Sequence, residues 1–347
     1  WQQIFPLSMD LTGKHSNQTL QTQKKWSSIN TMDPAYDQYE KAREFYRTHE
    51  YLAWIGEDES DEETIRSASE EALDQSENAN SPANTDSASA KISDQPMIYP
   101  MQQLMDYDFL MKHFYNVHTS TTADRELMNA KNLLSKDLTL EKEDAPQILI
   151  YHTHSQESYK NSKKDENVVA VGQKLTDLLT EKGWNVYHDT TVYDLAVGKL
   201  DRSRAYTYAL EGINEILARY PSIQVVLDIH RDGVGEDVYL KTEIGGQPSA
   251  RIMFFNGLSQ TPEGPISYLA NPFREDNLAF SLKLQLKAEE YYPGFTRKIY
   301  LKGLRYNQHL RARSALVEVG AQTNTFEEAC NAMMPLAELL DMVLQGK

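Results

Sequence analysis

The chain has 347 residues, of which 40% are hydrophobic and 25% charged, so it is long enough for one large domain or two ordinary ones. Its 51 acidic side chains outnumber the 35 basic ones, and the net charge of −16 argues against a protein that coats nucleic acid or binds anionic lipid through bulk charge. The single cysteine, Cys330, excludes an internal disulfide and a cysteine-rich metal site.

Residues 1–100 differ in composition from the rest of the chain. They contain no run of about 18 apolar residues, and because the chain begins at Trp1 rather than at methionine, we expect an upstream membrane anchor to have been removed. Between Glu57 and Asp94 twelve acidic residues and two basic ones give a local net charge of −10. This stretch cannot bury enough apolar surface to offset the entropy of ordering. We therefore predict a largely disordered juxtamembrane region and acidic linker over 1–100, in preference to an acidic tail that binds a partner.

From residue 101 onward, strand and helix patterns alternate. Residues 148–151 are continuously apolar, as in a strand buried on both faces, and residues 168–179 have apolar side chains at helical spacing. The predicted elements are, in chain order, an opening helix near 104–114, a packed segment at 127–138, strand 148–151, helix 168–179, strand 186–188, helix 205–219, strand 223–229, a hairpin over 238–255, helix 277–291, strand 315–319 and helix 327–344. This alternation predicts one α/β domain over 101–347, with a mainly parallel sheet flanked by helices.

Polar side chains follow or interrupt three of the predicted strands. The strand at 148–151 runs into His152, His154 and Glu157, the strand at 223–229 runs into His230, and Glu318 interrupts the last strand. Because the chemistry of such sheets lies at the carboxyl ends of the strands, we expect these groups to meet. An uncompensated buried carboxylate costs several kcal/mol, so the fold should supply a cation near it.

A hydrolytic zinc site is the chemistry that this set favours. Such a site uses two neutral imidazoles and one carboxylate and leaves a fourth position open for water. A second carboxylate then takes the proton from water and passes it to the leaving amine. We predict His154 and His230 as ligands and Glu318 as this general base and acid. The third ligand is Glu157, which we favour for its His-x-x-Glu spacing, or Glu166, which stands just before the helix at 168–179.

Two of these residues also have structural interpretations. Glu318 could pair with a buried arginine such as Arg305 or Arg313 and take no part in catalysis. His152 alternates with His154 along the same segment, so in a continuing strand it would face away from the metal or support a ligand from behind.

Several separated motifs closely resemble the stage II sporulation protein P family. They agree in order over about residues 105–345. The motifs are residues 150–157 (Ile-Tyr-His-Thr-His-Ser-Gln-Glu), 226–232 (Val-Leu-Asp-Ile-His-Arg-Asp), 292–297 (Tyr-Pro-Gly-Phe-Thr-Arg), 305–308 (Arg-Tyr-Asn-Gln) and 317–320 (Val-Glu-Val-Gly). The resemblance implies the fold of zinc-dependent N-acetylmuramoyl-L-alanine amidases, a phosphorylase/hydrolase-like architecture, and peptidoglycan as substrate.

The same resemblance implies a function in sporulation. Members of the family hydrolyse the amide between N-acetylmuramic acid and L-alanine during engulfment, and are also reported to cleave peptide cross-links. The implied partners are the stage II sporulation proteins D and M, and the implied location is the extracytoplasmic face of the cell membrane at the sporulation septum. In the broader amidase group the acidic ligand lies more than ten residues after the first histidine, which favours Glu166 and leaves the third ligand open.

Two other functions fit the same residues. A zinc peptidase of carboxypeptidase type has the same order of a His-x-x-Glu pair, a later histidine and a late glutamate. A non-catalytic module that binds or organises the cell wall would keep only the fold. The presence of both histidines and Glu318 argues against that second alternative.

Overall fold

Thirteen strands lie in the part of the chain that the computed structural model describes, which comprises residues 97–196, 199–200 and 202–347. They are β1 (Tyr115–Val117), β2 (Ile148–Tyr151), β3 (Val186–His188), β4 (Leu195–Ala196), β5 (Lys199–Leu200), β6 (Val225–Asp232), β7 (Lys241–Ile244), β8 (Gln247–Ala250), β9 (Ile252–Gly257), β10 (Gln260–Thr261), β11 (Gly264–Pro265), β12 (Ile299–Lys302) and β13 (Arg313–Ala321). Seven of them form a central sheet in the order β1-β12-β9-β13-β6-β2-β3. The acidic linker predicted within 1–100 lies outside the described residues, apart from 97–100.

Helices flank this sheet. Within the described ranges they are α1 (Met101–Leu104), α2 (Tyr107–Phe114), α3 (Ala130–Ser135), α4 (Val168–Glu181), α5 (Arg202–Arg219), α6 (Arg274–Tyr291), α7 (Phe326–Asn331) and α8 (Met333–Leu344). Two short 3₁₀ turns cover Ser267–Leu269 and Gln308–Leu310. None of the described helices is both long enough and apolar enough to cross a membrane.

The central sheet consists of two parallel blocks that meet in one antiparallel pairing. Strands β1, β12 and β9 pair in parallel, and so do β13, β6, β2 and β3. Strands β9 and β13 join the blocks in antiparallel register, with Leu316 opposite Phe255. The predicted mainly parallel sheet flanked by helices is therefore confirmed. Because β13, β6 and β2 run in the same direction, their carboxyl ends meet at one edge of the sheet.

The core lies on both faces of the sheet, as the continuous apolar run in β2 predicts. All four residues of β2 are buried. Ile148 and Ile150 pack into the cluster that contains the buried residues of α4, α6 and α8. Leu149 and Tyr151 point to the opposite face and pack with the buried residues of α5. The sheet is thus held between two layers of helices, which fixes the edge where the polar strand ends lie.

The predicted hairpin and the last predicted helix are among the elements that differ in extent from the observed ones. The hairpin predicted over 238–255 ends at Ala250, because β7 and β8 turn tightly at Gly245 and Gly246 and the next residues enter the central sheet as β9. Both glycines have positive φ, 58° and 79°, which a two-residue hairpin turn of this type requires. The helix predicted over 327–344 is two helices, α7 and α8, because Pro335 has no N–H with which to continue the first.

Candidate metal centre

Three side chains converge where β2 and β6 end. His154, Glu157 and His230 each offer one ligand atom, and these atoms all lie within 4.8 Å of one another. Glu166, the alternative third ligand, is not in this group. Its carboxylate accepts a hydrogen bond of 2.9 Å from the backbone N of Lys163 and lies 2.9 Å from the same residue's Nζ. The structure therefore brings Glu157, and not Glu166, to the two histidines.

The turn that carries Glu157 is held by a buried carboxylate from a different part of the chain. Asp194 accepts a 2.7 Å hydrogen bond from Ser155 Oγ and a 3.0 Å bond from the backbone N of Gln156. The carbonyl of Glu157 accepts from the backbone N of Val168, the first residue of α4. These bonds fold the segment after β2 back across the sheet edge, so that the His-x-x-Glu spacing places both side chains on one side.

The Glu157 carboxylate lies between the two histidines. Its Oε1 is 3.6 Å from His154 Nδ1, and its Oε2 is 3.6 Å from His230 Nδ1 and accepts a 2.9 Å hydrogen bond from the backbone N of Arg231. Only 3% of the side chain is exposed. Burial alone would raise the pKa of Glu157, but hydrogen bonding and attraction from His154 and His230 outweigh it and hold the pKa well below its usual range. The carboxylate is therefore ionised and available as a ligand.

Asp228 supports His230 from the side opposite to Glu157. Its Oδ1 lies 2.8 Å from His230 Nε2, and its two oxygens also accept from the backbone N and the Oγ1 of Thr153. A carboxylate on the second nitrogen of a histidine is the usual way in which a metal-binding imidazole is oriented. Asp228 was not predicted as a functional residue, although its position two residues before His230 on β6 places both side chains on the same face of the strand.

A cationic group already lies beside the proposed ligands. Arg202, the first residue of α5, places its Nη2 2.7 Å from Glu157 Oε1 and 3.1 Å from His154 Nδ1. The other ring nitrogen of His154, Nε2, is buried and has no hydrogen-bond partner among the described residues. Two imidazoles and one ionised carboxylate around a position that attracts a cation fit the donor set of a catalytic zinc site.

Glu318 lies on β13 directly across from His230 in the parallel register with β6. One of its oxygens, Oε2, is buried and has no hydrogen-bond partner in the described part of the chain. Burial, reinforced by the charge of Asp232, raises the pKa of Glu318 to about 8. Arg297 forms a 2.6 Å ion pair with Asp232 and only moderates this effect.

One of the arginines offered as a structural partner for Glu318 lies elsewhere. Arg313 stands at the opposite end of β13, where it donates to the backbone carbonyls of Leu138 and Thr139. The carboxylate of Glu318 is therefore not held by Arg313, and it remains beside the histidine of the neighbouring strand.

His152 faces away from this group and is fully buried. Its Nδ1 lies 3.0 Å from the carbonyl of Ile229, and its Nε2 lies 2.9 Å from His188 Nε2. Burial lowers the pKa of His152 to about 4. His152 therefore joins β2 to β6 and β3 and does not belong to the group of possible metal ligands.

Aromatic rings form the wall of the site. The ring of Tyr206 lies nearly parallel to His230, with centroids 6.4 Å apart, and edge-on to His154 at 5.4 Å. Tyr306 packs edge-on against Tyr206 at 5.4 Å, and Asn307 donates a 2.9 Å hydrogen bond to the carbonyl of Tyr206. Both Tyr306 and Asn307 have positive φ, 47° and 53°, an uncommon conformation for residues other than glycine. The motif at 305–308 thus bends the chain so that it supports the aromatic wall.

Comparison with known proteins gives one family and several distant structures. The family model described as stage II sporulation protein P matches residues 15–341. Stage II sporulation protein P of Bacillus subtilis (strain 168) is 28% identical over 214 residues, which cover 56% of this chain and 50% of that protein, so the chain spans about half the length of this curated relative.

Among solved structures, the CwlD amidase from Clostridioides difficile, in complex with the GerS lipoprotein, has a TM-score of 0.36 and 17% identity, covering 56% of this chain and 98% of that one. The N-acetylmuramyl-L-alanine amidase Ami1 from Mycobacterium smegmatis has a TM-score of 0.33 and 13% identity, covering 56% of this chain and 97% of that one.

Proposed function

Because the chain belongs to the stage II sporulation protein P family, we propose that it is a zinc-dependent cell-wall hydrolase whose catalytic domain spans 101–347. The bond that we propose it cleaves is the amide between N-acetylmuramic acid and L-alanine, with peptide cross-links as a second target. The observation that carries this proposal is the convergence of His154, Glu157 and His230 beside Glu318.

In this proposal His154, Glu157 and His230 hold the metal. Zinc, when bound, supplies Lewis acidity toward the scissile carbonyl and makes water a stronger acid. Asp228 keeps the His230 ring oriented, and the backbone N of Arg231 fixes one oxygen of Glu157. With these contacts in place, two donors of the set keep their orientation without the metal.

Glu318 moves the proton in the proposed reaction. It accepts a proton from the attacking water and delivers it to the alanine nitrogen as the carbon–nitrogen bond breaks. The water oxygen ends in the carboxylate of the lactyl group on the muramic acid, and the peptide leaves with a free amino group. The buried Oε2 with no hydrogen-bond partner supports this role, since it is an acceptor that the fold leaves unused.

Peptidoglycan is the proposed substrate, and the proposed location is the extracytoplasmic face of the membrane at the sporulation septum, reached through an N-terminal anchor. The stage II sporulation proteins D and M are the proposed partners. These assignments derive from family membership alone.

The cleaved bond can be identified by digesting purified peptidoglycan with the zinc-loaded chain. The soluble products are then analysed by mass spectrometry. We expect glycan fragments without stem peptides and free peptides that begin with alanine. Peptides shortened only at their carboxyl ends would instead identify a carboxypeptidase. A folded, zinc-loaded protein that releases nothing would identify a wall-binding module.

Four variants test the ligands in the same assay, with zinc content measured on each preparation. His154→Ala and His230→Ala should each lose both metal and hydrolysis. Glu157→Gln should lose zinc, whereas Glu166→Gln, a matched change on the neighbouring carboxylate, should keep it. If only the Glu166→Gln variant lost zinc, the third ligand would be Glu166 and not Glu157.

A further inference from the structure

The guanidinium of Arg202 contacts two of the three proposed metal ligands. Its Nη2 contacts both Glu157 Oε1, at 2.7 Å, and His154 Nδ1, at 3.1 Å. An arginine side chain carries only hydrogen-bond donors, so His154 Nδ1 must be the acceptor in this contact. The lone pair that receives the Arg202 hydrogen bond is therefore the one that this nitrogen would present to a metal.

The two cations cannot use these atoms at the same time. A ring nitrogen has one lone pair, which either accepts a hydrogen bond or coordinates a metal. A metal within ordinary coordination distance of Glu157 and His154, about 2.0–2.2 Å, would also face the positive guanidinium at close range. Arg202 must therefore leave this position when metal enters.

We propose that Arg202 is an internal cation of the metal-free site, which stabilises the buried Glu157 carboxylate before loading and competes with zinc for His154 and Glu157. This inference rests on the proposed function, because it assumes that these residues are zinc ligands. The Arg202 side chain is 43% exposed, so it can swing toward solvent. Its backbone begins the 18-residue helix α5, so withdrawal needs no movement of the sheet.

The competition has a measurable consequence for zinc affinity. If zinc binds only when Arg202 has withdrawn, the apparent Kd equals the intrinsic Kd divided by the fraction of molecules in the withdrawn state. Charge-assisted hydrogen bonds are among the stronger ones, but the partial exposure of Arg202 weakens its ion pair with Glu157 through solvent screening. We expect Arg202→Ala to bind zinc about tenfold more tightly than the wild type, which corresponds to about 1.4 kcal/mol.

Zinc titration of the full 347-residue chain, stripped with a chelator, tests this proposal. Arg202→Ala is compared with Arg219→Ala, which removes the same charge from the opposite end of the same helix, about 25 Å away by helix geometry. Arg202→Gln, which keeps most of the length but not the charge, is the second variant should the alanine form not fold. Both Arg202 variants should bind more tightly, and the Arg219 variant should match the wild type.

The zinc-induced rise in melting temperature is a second measurement that does not depend on turnover. It should be larger for Arg202→Ala than for the wild type, because the variant loses a counter-ion in the metal-free state and gains affinity for the metal. A zinc Kd within threefold of the wild-type value, or a weaker one, would overturn the role of Arg202. Unchanged zinc binding in His154→Ala would instead refute the metal site itself, so the two failures are distinguishable.

Discussion

Asp228 acts on the proposed metal centre through His230. Its Oδ1 lies 2.8 Å from His230 Nε2, while Thr153 donates to both of its oxygens and fixes its orientation. Removing such an outer carboxylate typically costs 10- to 100-fold in metal affinity. We therefore expect Asp228→Asn to weaken zinc binding by about that factor, as measured by titration against a competing chelator.

Thr153→Val provides the control for Asp228. It removes only the hydroxyl donor and leaves the contact between Asp228 and His230. We expect it to lower the melting temperature with little change in zinc affinity, because a net hydrogen bond contributes only about 1 kcal/mol. Equal zinc affinity in the Asp228 variant and the wild type would show that the charge of Asp228 does not act through the imidazole.

Glu318→Gln separates proton transfer from metal binding. The substitution preserves shape and one acceptor but removes the group that takes the proton. Zinc content should stay at the wild-type level, while release of stem peptides from peptidoglycan falls about 10²- to 10⁴-fold. A variant with normal zinc content and near-normal turnover would remove Glu318 from the mechanism.

The pH dependence of stability tests the environment of Glu318 without a substrate. Burial raises the pKa of Glu318 to about 8 from an ordinary value of 4.5, so the folded protein holds this proton where the unfolded chain has released it. Its contribution to stability therefore falls as pH rises from 4.5 to 8. In the presence of a chelator, Glu318→Gln should be more stable than the wild type at pH 8, with the difference shrinking toward pH 4.5. If a buried arginine held the carboxylate instead, the variant would melt lower at pH 8.

At the scale of residues, the sequence predicts the groups that strands place but not those that loops bring in. His154, His230 and Glu318 are predictable because each lies on or directly after a strand of one parallel block. The choice between Glu157 and Glu166 depends on how the segment after β2 folds back. Asp194 holds that segment through two hydrogen bonds. No spacing in the sequence links Asp194 or Arg202 to His154, so neither could be predicted.

Helix α4 approaches the sheet closely at Gly172, and this contact fixes His152. A Cβ at Gly172 would lie 2.5 Å from His152 Cε1 and 2.6 Å from its Nε2. An alanine in a helix is normally more stable than glycine by up to 1 kcal/mol, but here it would push against a buried ring. We expect Gly172→Ala to destabilise the protein by about 1–3 kcal/mol, the usual cost of overpacking, as measured by urea unfolding.

A double-mutant cycle supplies the control for Gly172. His152→Ala removes the ring that the new methyl group would meet, so Gly172→Ala should cost little or be stabilising in that background. The two substitutions should therefore be strongly non-additive, as expected for residues in contact. Additive effects would mean that His152 does not limit how closely α4 packs on the sheet.

At the scale of elements, periodicity predicts most of the helices and buried strands and their ends less well, but it misses β12, whose four residues are all buried. The predicted helix at 168–179 is α4, and Gly183 follows it with a φ of 88°, as a glycine after a helix end commonly has. The end of the hairpin at Ala250 was not predictable, because the apolar run 252–255 follows almost at once. That run opens β9, which is buried throughout and belongs to the central sheet.

At the scale of the whole molecule, the antiparallel junction between β9 and β13 escapes sequence analysis. Both strands consist largely of apolar residues, and a largely apolar strand carries no signal of its direction. The proposed ligands and Glu318 do not depend on this junction, because they lie on or shortly after β2, β6 and β13.

Residues just before 101 contact helices of the predicted domain. The backbone N of Met97 donates a 3.1 Å hydrogen bond to the carbonyl of Glu289 in α6. The ring of Tyr99 lies edge-on to Phe114, with centroids 5.0 Å apart, and tilted against Phe109 at 5.9 Å. Residues 97–100, which the sequence assigned to the linker, therefore contact the helices that open the domain.

Two fragments test where the domain boundary lies. The fragment 101–347 should melt several degrees below 97–347, because aromatic pairs contribute about 0.5–1.5 kcal/mol each and a domain of this size loses about 2–4 °C per kcal/mol. Tyr99→Ala in the longer fragment should reproduce most of that loss.

Both fragments should match the full chain in zinc affinity and in hydrolysis of soluble muropeptides, since every proposed ligand and Glu318 lie beyond residue 150. Loss of zinc from 97–347 would show that residues 1–96 contribute to the metal centre, and equal melting temperatures would show that Tyr99 does not belong to the domain.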